Sequence, residues 1–316
     1  MRVVYVLAEY SLHNHIVETH HRARPDDHIA IVKVPLVLRG RSRTETAQRI
    51  VPRLSRRFLM GKLVEGLTVL AVTAIPKLLR RGPVFRRLRD IARRHQLPFL
   101  RTDDIMSDEA LAFIDDQRPD LVVTLFHQIV RQRLIDLPRL GVVNIHPGLI
   151  PSYRGIQPYF WELSEGSPRA GATLHFIEDE SIDSGGVLAQ TSYPVQAGMS
   201  VQRNYYLTCV AAGRLLPRVL AALEDGQLRP RRQDPEAGAY WRWPDSAAFD
   251  RLVERGHSLL SWRQLVGLLA GHDDGLECDE LLETGGTADC VPDPAPGDAA
   301  PPPGADVDDE PQSSVA

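Results

Sequence analysis

The run Pro119-Asp120-Leu121-Val122-Val123-Thr124-Leu125 constrains the fold most. It is short and apolar on both faces, as a strand must be when helices cover both sides of a parallel sheet. Val3–Leu7 reads the same way, His28–Val34 alternates enough to be a second strand, and Leu97–Leu100 is a short third. Helical patterns separate them. One runs from a cap at Ser11 to about His21, a basic amphipathic one covers Val84–His95, and Ser107 caps a third to Gln117 with Ala110, Leu111 and Ile114 on one face. This alternation predicts a doubly wound, mostly parallel α/β sheet, with ligands beyond the carboxyl ends of its strands. Phe126–Val130 and the loop starting at Asn144 lie at such ends. Ser11, His13 and Asn14 follow the first strand, where a helix N-terminus can hold an anion or a substrate group, and read as a helix cap and surface polar groups in preference to substrate contacts.

Gly141–Gln190 carries the chemistry. Val142-Val143 delivers Asn144 and His146 into a loop rich in Pro and Gly, and their alternate spacing in an extended segment puts both side chains on one side. Further on, Ser181-Ile182-Asp183-Ser184-Gly185-Gly186 is a second loop with a carboxylate in it. An amide that donates to a developing oxyanion, an imidazole that holds or relays a proton, and a carboxylate that orients the imidazole suffice for acyl transfer. Taken singly, Asn144 is a turn residue, His146 a loop histidine and Asp183 an Asx-turn.

Together, Asn144-Ile145-His146-Pro147, Leu149-Ile150-Pro151, Tyr153-Arg154-Gly155, Ala172-Thr173-Leu174-His175-Phe176 and Asp183-Ser184-Gly185-Gly186-Val187-Leu188-Ala189-Gln190 resemble the folate-dependent formyltransferases. That family includes the glycinamide-ribonucleotide, methionyl-tRNA and sugar-amine formyltransferases and the formyltetrahydrofolate hydrolases. The resemblance implies a Rossmann-type catalytic domain, 10-formyltetrahydrofolate as co-substrate, and Asn144, His146 and Asp183 as the catalytic set. It places the folate against Gln128, Ile129, Val130, Ile182 and Asp183, and the acceptor near Arg154, Gly155 and Tyr159. The acceptor it implies is an amine on a small or lipid-linked molecule, an amino sugar among them. A hydrolase and a catalytically silent binding protein of the same fold are the alternatives. The loop before Asn144 is one residue shorter than the family's usual pattern and His175–Asp183 one longer, both at the expected folate pocket. His175 is left open between a pocket contact and a strand-end surface position.

The rest of the chain divides by composition. The catalytic domain is expected over 1–225, a small appendage over 226–284, and a disordered, acidic, Pro-rich tail over 285–316. The appendage contains the aromatic run Tyr240–Pro244 and a helix from Ser261, and is too short and acidic for a tRNA-binding barrel. Residues 1–100 hold 20 Lys or Arg against 7 Asp or Glu, and no cation follows Arg263. This suits an anionic partner, although the near-absence of lysine also fits a simple preference for arginine. Within 40–82, the apolar run Phe58–Leu79 is flanked by Arg53, Arg56, Arg57, Arg80 and Arg81. It reads as a buried or partner-facing helical pair, as in a homodimer, or as a peripheral membrane helix. Lys62, Glu65 and Lys77 argue against a bilayer span. Cys209, Cys278 and Cys290 have neither metal-ligand nor disulfide spacing, no signal-peptide pattern opens the chain, and a cytoplasmic protein without a metal is expected.

Overall fold

The computed structural model describes residues 1–8, 11–35, 43–53, 56–74, 87–234, 236–270 and 276–283. The expected tail 285–316, residues 75–82 of the apolar run and the start of the helix expected from Val84 lie outside these. In chain order the elements are β1 (Arg2–Ala8), α1 (Asn14–Ala23), β2 (His28–Val34), α2 (Arg43–Ile50), α3 (Arg56–Ala74), α4 (Leu88–Arg94), β3 (Phe99–Arg101), α5 (Asp108–Asp116), β4 (Leu121–Leu125), α6 (Gln132–Ile135) and β5 (Val142–His146). There follow β6 (Arg154–Gly155), α7 (Pro158–Ser164), β7 (Arg169–Ile177), β8 (Val187–Pro194), α8 (Val201–Glu224), β9 (Tyr240–Trp241), α9 (Ser246–Glu254), α10 (Trp262–Ala270) and β10 (Asp279–Leu282).

The main sheet has eight strands in the order β10-β8-β7-β5-β4-β1-β2-β3. β3, β2, β1, β4 and β5 are mutually parallel, as the doubly apolar strands demand, and β7, β8 and β10 extend the sheet antiparallel. The strand order reverses between β1 and β4, which opens a crevice at their carboxyl ends. One helical layer packs α1, α4 and α8 on Val3, Tyr5, Leu7, Val143 and Leu174. The other covers Val4, Val6, Val122 and Val142 with Ala110, Leu111 and Ile114 of α5. Ser107 and Ser200 cap α5 and α8 through their side chains.

Two local readings are corrected. Residues 11–13 form a 3-10 turn, so α1 begins at Asn14, with His13 before it and no side-chain cap there, while the Ser11 side chain lies outside the described residues. His13 and Asn14 are interior groups, 2% and 0% exposed, because this turn tucks under α8 instead of lying on the surface.

The chain after Gly226 is woven into this body. β10 adds an edge strand beside β8, and Arg231 bonds back to Val187. β9 pairs with β6, where Trp241 stacks on Trp161 and Tyr153 at centroid separations of 4.5 and 6.2 Å and donates its indole N–H to Ser152 O. Gly155, at φ +96°, is required here, since a Cβ would meet Trp241 O at 2.3 Å. Replacing Trp241 by Ala empties this stack, and we expect thermal denaturation to show a loss of about 3–5 kcal/mol. An unchanged melting temperature would mean the strut carries no stability.

Candidate active site

Sheet register builds the centre of the site. Thr124 on β4, Asn144 on β5 and His175 on β7 are direct cross-strand partners and form one row. Thr124 Oγ1 donates to Asn144 Oδ1 at 3.0 Å, which fixes the amide with its NH2 toward His175 Nε2 at 3.2 Å. His175 Nδ1–H donates to Phe176 O at 2.8 Å, so Nε2 is the acceptor for Asn144. His175 is therefore an interior site residue, 1% exposed, and not a strand-end surface group.

His146, two positions after Asn144 on the same face, enters the same space. Its Nε2–H donates to Tyr153 O at 2.6 Å, and its Nδ1 lies 3.4 Å from Asp183 Oδ1. Asp183 sits in the β7–β8 loop at φ +53°, a left-handed conformation that Asp tolerates. Its Oδ2 accepts the Gly155 N–H at 2.9 Å. Its Oδ1 is 3.5 Å from Asn144 Nδ2 and 3.6 Å from His175 Nε2. The loop is pinned from behind by Gln233 Nε2, which donates to Asp183 O at 2.9 Å and Gly185 O at 2.7 Å.

The charge states follow from these contacts. Burial pushes the His146 imidazole down, but the Asp183 charge and the acceptors at both ring nitrogens outweigh it and hold the imidazolium above the ordinary histidine value. Burial likewise raises the Asp183 carboxyl, yet His146 and His175 pull it well below the usual carboxylate range. Both shifts favour the imidazolium–carboxylate form of the pair over the neutral one. The His146 share of its stability is complete below the unfolded histidine value and is lost as pH rises through the raised folded one. The Asp183 share is present above the unfolded carboxylate value and is lost as pH falls through the depressed one.

The loop from His146 to Tyr153 is held by buried polar groups that the sequence reading missed. Glu162 on α7, fully buried, accepts the N–H groups of Leu149 at 3.3 Å and Gly171 at 3.2 Å through Oε1, and Asn204 Nδ2 at 3.1 Å through Oε2. Burial holds its carboxyl well above the ordinary value, although these donors oppose the shift. Thr173 Oγ1 accepts the Ile150 N–H and donates to Gly148 O, and Gln190 Nε2 donates to Ile150 O. Only the register opposite Asn144 could have revealed Thr124; a Glu inside an apolar helix was the available signal for Glu162.

The other expected residues are distributed as follows. Gln128 turns into the neighbouring loop, accepting the Ile105 N–H and donating to Asp103 O. Ile129 is half-buried, the Val130 side chain is in the core, and Ile182 is exposed beside Asp183. Arg131 and Glu180 form an exposed ion pair at 3.0 Å that joins the two loops expected to hold folate. Arg154 donates to Ala237 O, and Gly155 serves β6 and Asp183, so both build the wall behind the carboxylate. Tyr159 is 9% exposed and packs on Tyr205 at a centroid separation of 4.3 Å. Tyr205 OH bonds in turn to His13 Nε2, whose pKa burial lowers to about 3, so His13 is neutral.

An amide N–H, an imidazolium and a carboxylate that converge at the end of β5 fit acyl transfer, and the comparisons name the family. The profile of the Formyl transferase family matches residues 12–220. The chain belongs to the formyl transferase family. A methionyl-tRNA formyltransferase of Geobacillus is 31% identical over 150 residues, which is 47% of this chain and 47% of that protein. The one of Thermotoga maritima is 30% identical over 151 residues, 48% of each. The chain thus spans about half the length of the curated relatives it matches. A solved sugar N-formyltransferase from Shewanella has a TM-score of 0.50 at 17% identity, covering 81% of this chain and 88% of that one. A phosphoribosylglycinamide formyltransferase from Anaplasma phagocytophilum has a TM-score of 0.50 at 16% identity, covering 76% and 96%. Both share the α/β fold expected from the sequence.

Glu162→Ala removes the acceptor of the Leu149 and Gly171 N–H groups and of one of the two Asn204 amide N–H groups in a dry core. We expect about 3 kcal/mol or more of lost stability in chemical denaturation, with kcat lowered in the fraction that stays folded. Stability and turnover both at the parent values would remove Glu162 from the support of this loop.

Proposed function

We propose that this protein moves the formyl group of 10-formyltetrahydrofolate to the amine of a small-molecule acceptor, an amino sugar or a lipid-linked amine. The reading is carried by the convergence of Asn144, His146 and Asp183 in a chain of this family. Asp183 Oδ1 lies 3.4 Å from His146 Nδ1 and 3.5 Å from Asn144 Nδ2, long contacts that let both donors turn to another acceptor. The His146 Nδ1–H and the second Asn144 N–H are left for an oxygen that enters between them.

In this reading the folate is held between the loop Phe126–Val130 and the loop ending at Asp183, with Gln128, Ile129, Val130 and Ile182 in contact. Arg154 and Gly155 set the wall toward the acceptor. The amine attacks the formyl carbon, a C–N bond forms, and the carbonyl oxygen becomes an oxyanion. Asn144 donates to it and the His146 imidazolium offsets its charge, each donor being worth roughly 3–4 kcal/mol in a dry site. Asp183 accepts, through water, the proton that the attacking nitrogen loses. The bond from the formyl carbon to N10 breaks, and N10 takes a proton.

A structural relative named a sugar N-formyltransferase shares the fold over 81% of this chain and 88% of its own, which supports a small acceptor, while the methionyl-tRNA enzymes, matched over 47% of each chain, make charged tRNA the second candidate. The free thiols Cys209 and Cys278 suit a reducing cytoplasm. Every residue of the proposed set comes from one chain, so catalysis as drawn needs no second copy.

The deciding experiment supplies 10-formyltetrahydrofolate with candidate amines, among them amino-sugar nucleotides and methionyl-tRNA, and follows tetrahydrofolate by absorbance. Release that depends on a small amine supports the reading. Amine-independent release would make the protein a hydrolase, and dependence on charged tRNA alone would overturn the acceptor class. Asn144→Ala and His146→Ala should each lower kcat about 10²–10³-fold with the fold retained; near-parental turnover would exclude the residue. The rate should fall as pH rises through a value above that of an ordinary histidine, as the His146 imidazolium is lost. His146→Gln should abolish that limb and Asn144→Ala should keep it.

A further inference from the structure

Helix α3 packs with one side and displays an apolar row on the other. Phe58, on the packed side, meets Trp243 and Phe249 edge-on at centroid separations of 6.0 and 5.9 Å. Gly61 lets Leu259 approach so closely that a Cβ there would overlap it. On the outer side Met60, Leu63, Val64 and Leu67 are 58%, 55%, 42% and 57% exposed. Their spacing i, i+3, i+4, i+7 puts all four on one helical face. Arg56 and Arg57, both exposed, lie one turn earlier, Arg56 at the head of that face and Arg57 at its border, where it is ion-paired to Asp250 of α9. Single apolar side chains on a surface are ordinary, but a contiguous row of four marks a contact surface.

Charge selects the occupant. Residues 41–81 contain ten Arg or Lys and two Glu, in a chain whose net charge is −4. A second copy seated on this face would bring two strongly cationic segments together. A nucleic acid would meet the arginines and leave the aliphatic row in water. An anionic lipid surface answers both features, because the aliphatic side chains enter the acyl boundary while the arginines stay among the headgroups. A span is excluded by Lys62 and Glu65 inside the helix. Among the described residues the one helix with the length and hydropathy of a span is α8, whose apolar window is 72% buried in the core.

We propose that α3 is a peripheral anchor that seats this protein on an anionic lipid surface through Met60, Leu63, Val64 and Leu67. The anchor does not rest on the formyl-transfer reading, since its readout is lipid binding alone. It joins the candidate active site mechanically. The aromatic contacts run from Phe58 to Phe249, Phe160, Trp161 and Trp241, and Trp241 pairs with Gly155, whose N–H holds Asp183.

The test is co-sedimentation of the full chain with phosphatidylglycerol–phosphatidylcholine vesicles and with pure phosphatidylcholine vesicles, across a salt series. Binding to the anionic vesicles should be about tenfold stronger or more. Leu63→Glu with Leu67→Glu should weaken it about tenfold or more, and Arg56→Glu with Arg57→Glu should flatten its salt dependence. Circular dichroism establishes that each variant is folded, and Met60→Ser replaces any variant that is not. No sedimentation with anionic vesicles at low salt would overturn the proposal, as would binding indifferent to the leucine changes. A dimer seen by sedimentation velocity and broken by those changes, without vesicle binding, would assign the face to a second copy.

Discussion

The site depends on keeping one carboxylate ionised in a place that is nearly dry. Asp183 has a side chain only 10% exposed, and an unpaired charge there would be costly to bury. Its two oxygens divide the task. Oδ2 is fixed by the Gly155 N–H, while Oδ1 faces the His146 imidazolium and, farther off, Asn144 and His175. Removing one partner from such a pair is more damaging than its net stabilisation suggests, because the other charge is stranded. Position therefore matters more than attraction. The surrounding structure holds the carboxylate and the imidazole 3.4 Å apart.

That separation is inherited from sheet geometry. The row Thr124–Asn144–His175 is a consequence of register, and His146 falls on the same face because strand side chains alternate. The carbonyls that accept from His146 and His175 belong to Tyr153 and Phe176, so each ring is oriented by backbone rather than by another mobile side chain. Asn144 has its carbonyl oxygen occupied by Thr124, which settles that its NH2 faces His175 and Asp183.

Much of this was legible in the sequence where the signal was local. The doubly apolar run at Leu121–Leu125 announced a covered parallel strand, and the alternate spacing of Asn144 and His146 announced a shared face. What stayed hidden was non-local. His175 could be read either way, because its direction depends on pairing with β5 and on the bulge between Leu174 and His175. Gln233 and Trp241 lie some fifty and sixty residues beyond Asp183, and no periodicity links them to it. Glu162 and Thr124 looked like ordinary members of an apolar helix and an apolar strand. The helix start misled for the opposite reason: a buried turn around His13 delays α1 to Asn14.

The braces contributed by Gln233, by Ala237 and by Trp241 have a consequence for how activity is acquired during synthesis. A chain emerging from a ribosome can pair β1, β2, β3, β4 and β5 as soon as their helices are available, because those contacts are largely sequential neighbours. Asn144 and His146 are then in place, but the Asp183 loop lacks its strut. The nascent protein is therefore a folded body with an unfinished centre. The proposed centre is complete only once the segment from Gln233 to Trp241 is available to brace the Asp183 loop.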